Sequence, residues 1–293
     1  MDRVRFSLLR GVCQTPAYVA VERGYLREEG LDARIQIEPT AWLIPGQLDS
    51  GQSQFAVLPW TRVAAGPKDE ARMVVCAGSG VEEAAVVVRQ GVDEDAVRSV
   101  VVPREGGMKD LTAMALIRSL GWDEVEVLRQ PSGDGAIIAF FAGGADAASM
   151  VEPYATLMEE LGVGRVIRRT GDIWPGAPGC SLATTAALAE GEPDLVQAVV
   201  RAYARGVDFV RSEPAETARI AHRYIGVAPA FIEAALRKNA PDLNAVRNEA
   251  AMKQVLLLMQ DLGYLDHAPE DFVDLRFLDA LAAPGSRGIG GPR

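Results

Sequence analysis

The chain has 293 residues, 48% of them hydrophobic and 24% charged, and a formal net charge of −10. That is length enough for two lobes of ordinary domain size and apolar content enough to fill their cores. The acidity is spread along the chain without a Lys/Arg run, which excludes nucleic acid as a partner, and no window of about twenty apolar residues exists to insert a helix into a membrane.

Residues 4–37, VRFSLLRGVCQTPAYVAVERGYLREEGLDARIQI, read as strand, loop, helix, break and strand. Val4, Phe6, Leu8 and Leu9 make a short apolar run suited to a buried strand. In the loop that follows, Thr15 is placed to cap a helix whose first position is Pro16, where the missing N–H costs nothing. Ala17, Ala20, Val21 and Gly24 share one helical face, and Gly30 supplies a left-handed stop before a strand over 33–37. The first loop of such a βαβ unit opens at the carboxyl edge of a sheet, where open α/β sheets bind ligands. A helix is then expected from Thr40 to Gly51, a strand over 55–58, and a loop over 59–62. Strands over 73–77 and 84–89 follow, the second crossing out of the first lobe.

A second series of α/β units begins with a strand over 97–102 and a loop over 103–107. Behind it, Ala113, Leu116, Ile117 and Leu120 form the apolar stripe of a helix ended by Gly121. Strands are expected over 125–128, 146–150 and 163–167, with helices over 136–142 and 154–161. Residues 171–179 (GDIWPGAPG) lack a period and read as loop, and 180–184 cross back. From Glu192 on, the pattern is helical: Val196, Val199, Val200, Tyr203, Val207 and Val210 share a face, with further helices near 214–225, 228–238 and 246–262. The expected division is therefore residues 1–85 and 183–282 for a discontinuous first lobe, 86–182 for an inserted second lobe, and 283–293 as a disordered tail.

The stretch TPAYVAVERGYLREEGLDARIQIEP resembles the opening of the sulfonate-, nitrate- and thiamine-precursor-type solute-binding proteins of ABC importers. IPGQLDSGQSQFAVLPWTRV (44–63) and FFAGGADAASMVEPYATLMEELG (140–162) fit the same pattern. The resemblance implies an α/β, two-lobed type II periplasmic-binding-protein fold with a discontinuous first lobe and a helical C-terminal part. It implies a solute-binding protein that takes a small anionic or aromatic ligand (a sulfonate, a carboxylate or a pyrimidine precursor) by hinge closure, with an ABC permease as partner. The opening MDRVRFSLLRG runs into the first strand without an apolar leader, which as written points to the cytoplasm; a processed form would be periplasmic or extracellular.

On that topology, four loops converge on the cleft: Cys13, Gln14, Thr15 and Pro16; Thr40 to Trp42; Pro59 and Trp60; and Arg104, Gly106, Gly107 and Met108. Glu152 and Tyr154, from the family-like EPY stretch, and the region of Cys180 join them. Helix N-termini at 15–17 and 107–109 offer free amides to an anion. Trp42 and Trp60 either stack on a ligand or pack between helix and sheet. Arg104 either clamps a carboxylate or sulfonate or serves the surface. Glu152 and Tyr154 either touch ligand or shape a helix start.

Cys13 stands ahead of a helix start, where a thiolate is stabilised. The chain also distantly resembles the sulfinate desulfinases, in which a cysteine of this loop is catalytic. That resemblance implies a cytoplasmic lyase, desulfinase-, decarboxylase- or dehydratase-like, using Cys13 or a cleft carboxylate. Against it, the only histidines, His222 and His267, fall in the helical C-terminal part, and the cysteine cluster and cleft histidines of the yeast-type thiamine-pyrimidine synthases are missing. Cys13 can equally be a ligand contact or a small buried residue. Three widely separated cysteines give no disulfide framework. No Walker loop, nucleophile elbow or metal-ligand spacing is present, so neither cofactor nor metal is expected.

Overall fold

Two five-stranded sheets carry the fold, and both are built on one plan. The computed structural model describes residues 1–67, 72–122 and 124–282, so the tail expected over 283–293 lies outside the described residues. The chain begins β1 (Asp2–Leu8), α1 (Thr15–Glu22), α2 (Tyr25–Glu28), β2 (Leu31–Ile37), α3 (Ile44–Asp49), β3 (Phe55–Pro59), α4 (Trp60–Ala64) and β4 (Met73–Gly78). It continues β5 (Ala84–Arg89), β6 (Ser99–Pro103), α5 (Met108–Leu120), β7 (Glu126–Gln130), α6 (Gly133–Phe141), β8 (Ala147–Val151), α7 (Tyr154–Glu160), β9 (Gly164–Arg169) and α8 (Thr170–Ile173). β10 (Cys180–Thr185) and α9 (Ala186–Gly191) lead into α10 (Pro193–Ser212), α11 (Pro214–Ile225), α12 (Pro229–Lys238), α13 (Glu249–Asp261) and α14 (Arg276–Ala282).

The first sheet has the order β2-β1-β3-β10-β4 and the second β7-β6-β8-β5-β9. In each, the strand that has crossed from the other lobe lies antiparallel between the third and fourth strands, while the rest run parallel. Continuous apolar runs explain why central strands are buried on both faces. Every residue of β3 and β4 is buried, whereas the edge strand β2 alternates. In β5 the alternation divides two cores: Val86 and Val88 face a small cluster with Val100, Val102, Leu116 and Trp122, and Ala85 and Val87 face the main core.

Residues 79–83 and 174–179 carry the chain between sheets and pair with each other: Glu82 N–H donates to Ala177 O at 2.9 Å and Gly179 N–H to Gly80 O at 2.8 Å. β5 therefore lies wholly in the second sheet and β10 wholly in the first, so the sheets divide a few residues before the 85/86 and 182/183 boundaries read from sequence. The helices of the C-terminal part pack mainly on the first lobe. α10 crosses α1 so closely that a Cβ at Gly206 would lie 2.4 Å from the Pro16 carbonyl oxygen. Phe272 and Asp274 pair with Val75 and extend the first sheet's edge.

Several local expectations are corrected. Residues 59–62 are not a loop, because α4 begins directly at Trp60. The helix expected from Thr40 is a 3-10 turn (Ala41–Leu43) followed by α3. α6 starts at Gly133, capped by Ser132, whose hydroxyl accepts from Gly135 N–H at 3.0 Å. Thr15 caps nothing: it is the first residue of α1, and its hydroxyl donates back to Val12 O at 2.6 Å. Residues 170–173, partly read as loop, form the short α8, and α14 is a helix beyond those expected from the sequence.

Candidate functional site

A cavity of about 60 Å³ opens between the lobes, at the carboxyl ends of β1, β3, β6 and β8. Leu9 and Arg10 follow β1, Pro59 ends β3, Pro103 and Arg104 close β6, and Val151 closes β8; all line it. Parallel strands in open α/β sheets place their loops at this edge, so the location follows from topology.

One wall is made of groups with almost no exposure. Cys13, Glu83 and Cys180 are 4%, 2% and 4% exposed, and their side-chain donor atoms lie within 4.8 Å of one another. The Cys180 thiol donates to Glu83 Oε1 at 3.1 Å, and Gln14 Nε2 donates to Cys13 Sγ at 3.3 Å. Gln14 is held in turn by Leu9 N–H, which donates to its Oε1 at 3.2 Å. A hydrogen bond with Cys180 pulls the Cys13 thiol down, but burial and the Glu83 carboxylate outweigh it and leave the thiol above its ordinary value. Cys180 is pushed up further, by its hydrogen bond with Cys13, by burial and by both neighbours' negative charge.

Cationic side chains line the same cavity. Arg10 pairs with Asp134 of α6 at 2.9 Å. Arg62, Arg104 and Lys109 also line the cavity, and none has a carboxylate within salt-bridge distance among the described residues. Arg62 donates to Glu105 O at 2.6 Å, and its Nε is buried without a partner. Burial, then the neighbouring Arg104 charge, lowers its pKa. Arg104 lies over the Trp42 ring at 4.8 Å, linking second lobe to first. Gly107 precedes α5 and lines the cavity too, so the free amides of that helix start stand beside three cations.

Of the residues expected from sequence, Cys13, Gln14, Thr40, Pro59, Arg104 and Gly107 come together around this cavity. The other eight do not line it. Thr15 and Pro16 are buried under α10, and Met108 is 2% exposed in the core. Gly106 turns the chain at φ 84° and accepts from the Thr61 hydroxyl at 2.7 Å. Trp42 meets Arg104 instead. Trp60 is fully buried, donating Nε1–H to Pro178 O at 2.8 Å and stacking on Phe272 with ring centroids 5.8 Å apart. Glu152, also fully buried, pairs with Arg169 at 2.8 Å and accepts from Thr156 N–H at 3.0 Å in the first turn of α7. Tyr154, 8% exposed, starts that helix. Neither histidine lines the cavity.

Sequence reading missed Glu83, Arg10, Arg62 and Asp134, and took Lys109 only for the backbone amide of a helix start. Arg10 carried a usable signal, since it directly follows a strand whose carboxyl end was expected in the cleft. Glu83 carried none: two acids before an apolar strand look like a solvated turn.

No curated protein matches the chain by sequence. Solved structures match it in fold. A ligand-binding component of an ABC-type import system from Staphylococcus aureus, solved with zinc bound, superposes with a TM-score of 0.81 at 14% identity, covering 95% of this chain and 98% of that one. The periplasmic nitrate-binding protein of Synechocystis PCC 6803 gives 0.76 at 14% identity over 90% and 82%. The alkanesulfonate-binding protein of Xanthomonas axonopodis pv. citri, bound to MOPS, gives 0.73 at 15% identity over 92% and 96%. These likenesses establish the two-lobed periplasmic-binding-protein fold. Residues 2–226 match the NMT1-like family, and the chain belongs to it.

Proposed function

We propose that the protein is a solute-binding protein that captures a small anionic organic ligand, a sulfonate or carboxylate, between its lobes and presents it to an importer's permease. One observation carries this reading: Arg62 and Arg104, from opposite lobes, stand at a cavity with Lys109, and among the described residues no carboxylate is paired to any of the three. Neighbouring guanidinium groups repel, and burial makes the repulsion worse, so an anion entering between them removes a cost already present in the empty site. The fold supplies the closure, since the paired crossovers are the natural hinge. The solved relatives include nitrate- and alkanesulfonate-binding proteins, which supports the anionic class. No helix among the described residues is long and apolar enough to cross a membrane.

The test is calorimetry and thermal unfolding with alkanesulfonates, aromatic carboxylates and their neutral amides, followed by recovery of the ligand. Anions stabilise the protein by about 2.7 kcal/mol at a hundredfold excess over Kd and are recovered unchanged. Equal binding of the neutral amides, or recovery of a converted product, overturns the reading.

A further inference from the structure

Three sequence-distant side chains meet at the buried wall of the cavity, and their chemistry is that of a metal site. We propose that Cys13, Glu83 and Cys180 bind one thiophilic divalent cation of the zinc type, with a fourth coordination position open to the cavity.

Two sulfurs and a carboxylate are a soft-to-borderline donor set that suits zinc and disfavours magnesium or calcium, which take oxygen ligands. Their donor atoms already lie within 4.8 Å of one another. Around a tetrahedral zinc with bonds of about 2.0–2.3 Å, donors stand roughly 3.3–3.8 Å apart, so contraction by about 1 Å completes the set. Three protein ligands with one position left over is the pattern of an open zinc site rather than a closed structural one.

A second observation is independent of the clustering. Glu83 is 2% exposed, and its Oε2 is buried without a hydrogen-bond partner. A buried carboxylate oxygen left unpaired carries an uncompensated desolvation cost, and a cation at this point satisfies it. Two glycines wall the carboxylate in: a Cβ at Gly80 would fall 1.7 Å from Glu83 Oε2, and one at Gly179 would fall 2.3 Å from its carboxyl carbon. Any other residue at either position would push Glu83 away from the thiols.

The scaffold is fixed before any ion arrives. Gly80 N–H donates to Cys180 O at 2.9 Å, Gly179 N–H to Gly80 O at 2.8 Å, and the Ser79 hydroxyl to Cys13 O. Gln14, donating to Cys13 Sγ, is the outer-shell partner that orients a ligating sulfur. Binding releases two thiol protons to solvent, and Glu83 exchanges its bond from Cys180 for one to the ion; no electrons move. The proposal stands on these side chains and not on capture of an anion.

Titration of the reduced, metal-free full chain with Co²⁺, then with Zn²⁺, decides it. One Co²⁺ per chain binds with a sulfur-to-cobalt charge-transfer band that Zn²⁺ abolishes. Cys180→Ser and Glu83→Gln weaken zinc by about 100-fold or more, above the 10- to 100-fold typical of outer-shell changes. Cys76→Ala, altering a buried thiol of β4 outside the cluster, leaves stoichiometry and band intact. Circular dichroism confirms that each variant folds. If Cys180→Ser does not, the wild-type band decides alone: two thiolates per cobalt support the site. Absence of a thiolate band, full affinity in folded Cys180→Ser, or a reduced protein that only oxidises to a disulfide and binds no metal overturns it.

Discussion

The two lobes have the same strand order yet contribute differently to the cavity between them. The first lobe and the crossovers supply Cys13, Gln14, Glu83 and Cys180, all buried and tied to backbone or to one another. The second lobe supplies Arg104, Gly107, Lys109 and Asp134, which sit at a strand end and at helix starts. Groups of the first kind are bound into the packing, so altering them alters folding. Groups of the second kind are spent on the cavity, so altering them alters affinity. The difference comes from what covers each sheet: α10 and α11 pack on α1, and α14 on β4, of the first lobe, while the second lobe divides its side chains between the main core and a small core of its own. Substitutions that separate stability from affinity test this division.

Trp60 gives the largest effect. It fills the space between α4 and Phe272, and its indole N–H satisfies the Pro178 carbonyl of a crossover. Trp60→Ala lowers unfolding free energy by about 3–5 kcal/mol, read from urea denaturation. Trp60→Phe keeps most of the packing and leaves anion affinity within about threefold of the parent, a difference of roughly 0.7 kcal/mol. A folded Trp60→Phe protein that has lost its ligand breaks the division.

Arg104 is the converse case. Its aromatic partner, Trp42, is 39% exposed, and a cation–π contact there contributes about 0.5–1 kcal/mol. A charge-assisted hydrogen bond to a bound anion contributes about 1.5–3 kcal/mol. Arg104→Ala therefore costs roughly ten- to hundredfold in affinity by calorimetry, while the unliganded protein loses about 1 kcal/mol or less. The reverse ranking would make Arg104 a strut.

How much of this was legible in the chain follows the same line. Period and punctuation exposed the strand–helix–strand opening, the face of α10 and the return through β10, because each rests on residues close in sequence. The apolar stripe Val196, Val199, Val200 and Tyr203 is buried as the spacing requires. Thr15, Trp60 and Glu152 were read by residue type beside an expected cleft, but direction decides. Each points into packing: α4 begins at Trp60, inside the expected loop, α1 is preceded by a 3-10 turn, and Glu152 is taken up by Arg169 and the first turn of α7. Glu83 was illegible for a different reason: its burial depends on Gly80 beside it and on Gly179 of the other crossover, a pairing that no local pattern records.

Arg62 sharpens the comparison from inside the first lobe, since it is a first-lobe residue committed to the cavity. Burial and Arg104 both oppose its charge, and the Asp110 and Glu105 charges, with the hydrogen bond to Glu105 O, offset only part of that. Arg62→Gln removes the repulsion and retains a donor. Stability of the unliganded protein stays within about 1 kcal/mol of the parent, and anion affinity falls about tenfold. A large loss of stability would place Arg62 with the packing groups instead.

The smallest effect belongs to the exposed pairs that tie the C-terminal helices to the second lobe. Lys238 meets Glu159 of α7 at 3.1 Å, and Arg118 of α5 meets Asp261 of α13 at 3.4 Å. Both are solvent-screened, so neutralising either changes stability by about 0.5 kcal/mol or less. Each nevertheless spans the lobes, and a contact made only when they are closed acts on the closing equilibrium. Lys238→Ala with Arg118→Ala should weaken anion binding by roughly twofold at low salt and not at high salt, because screening already removes the pairs there. Salt-independent weakening would mean that the helices hold the second lobe by packing. The lobes would then differ in how they are covered but not in how freely they move.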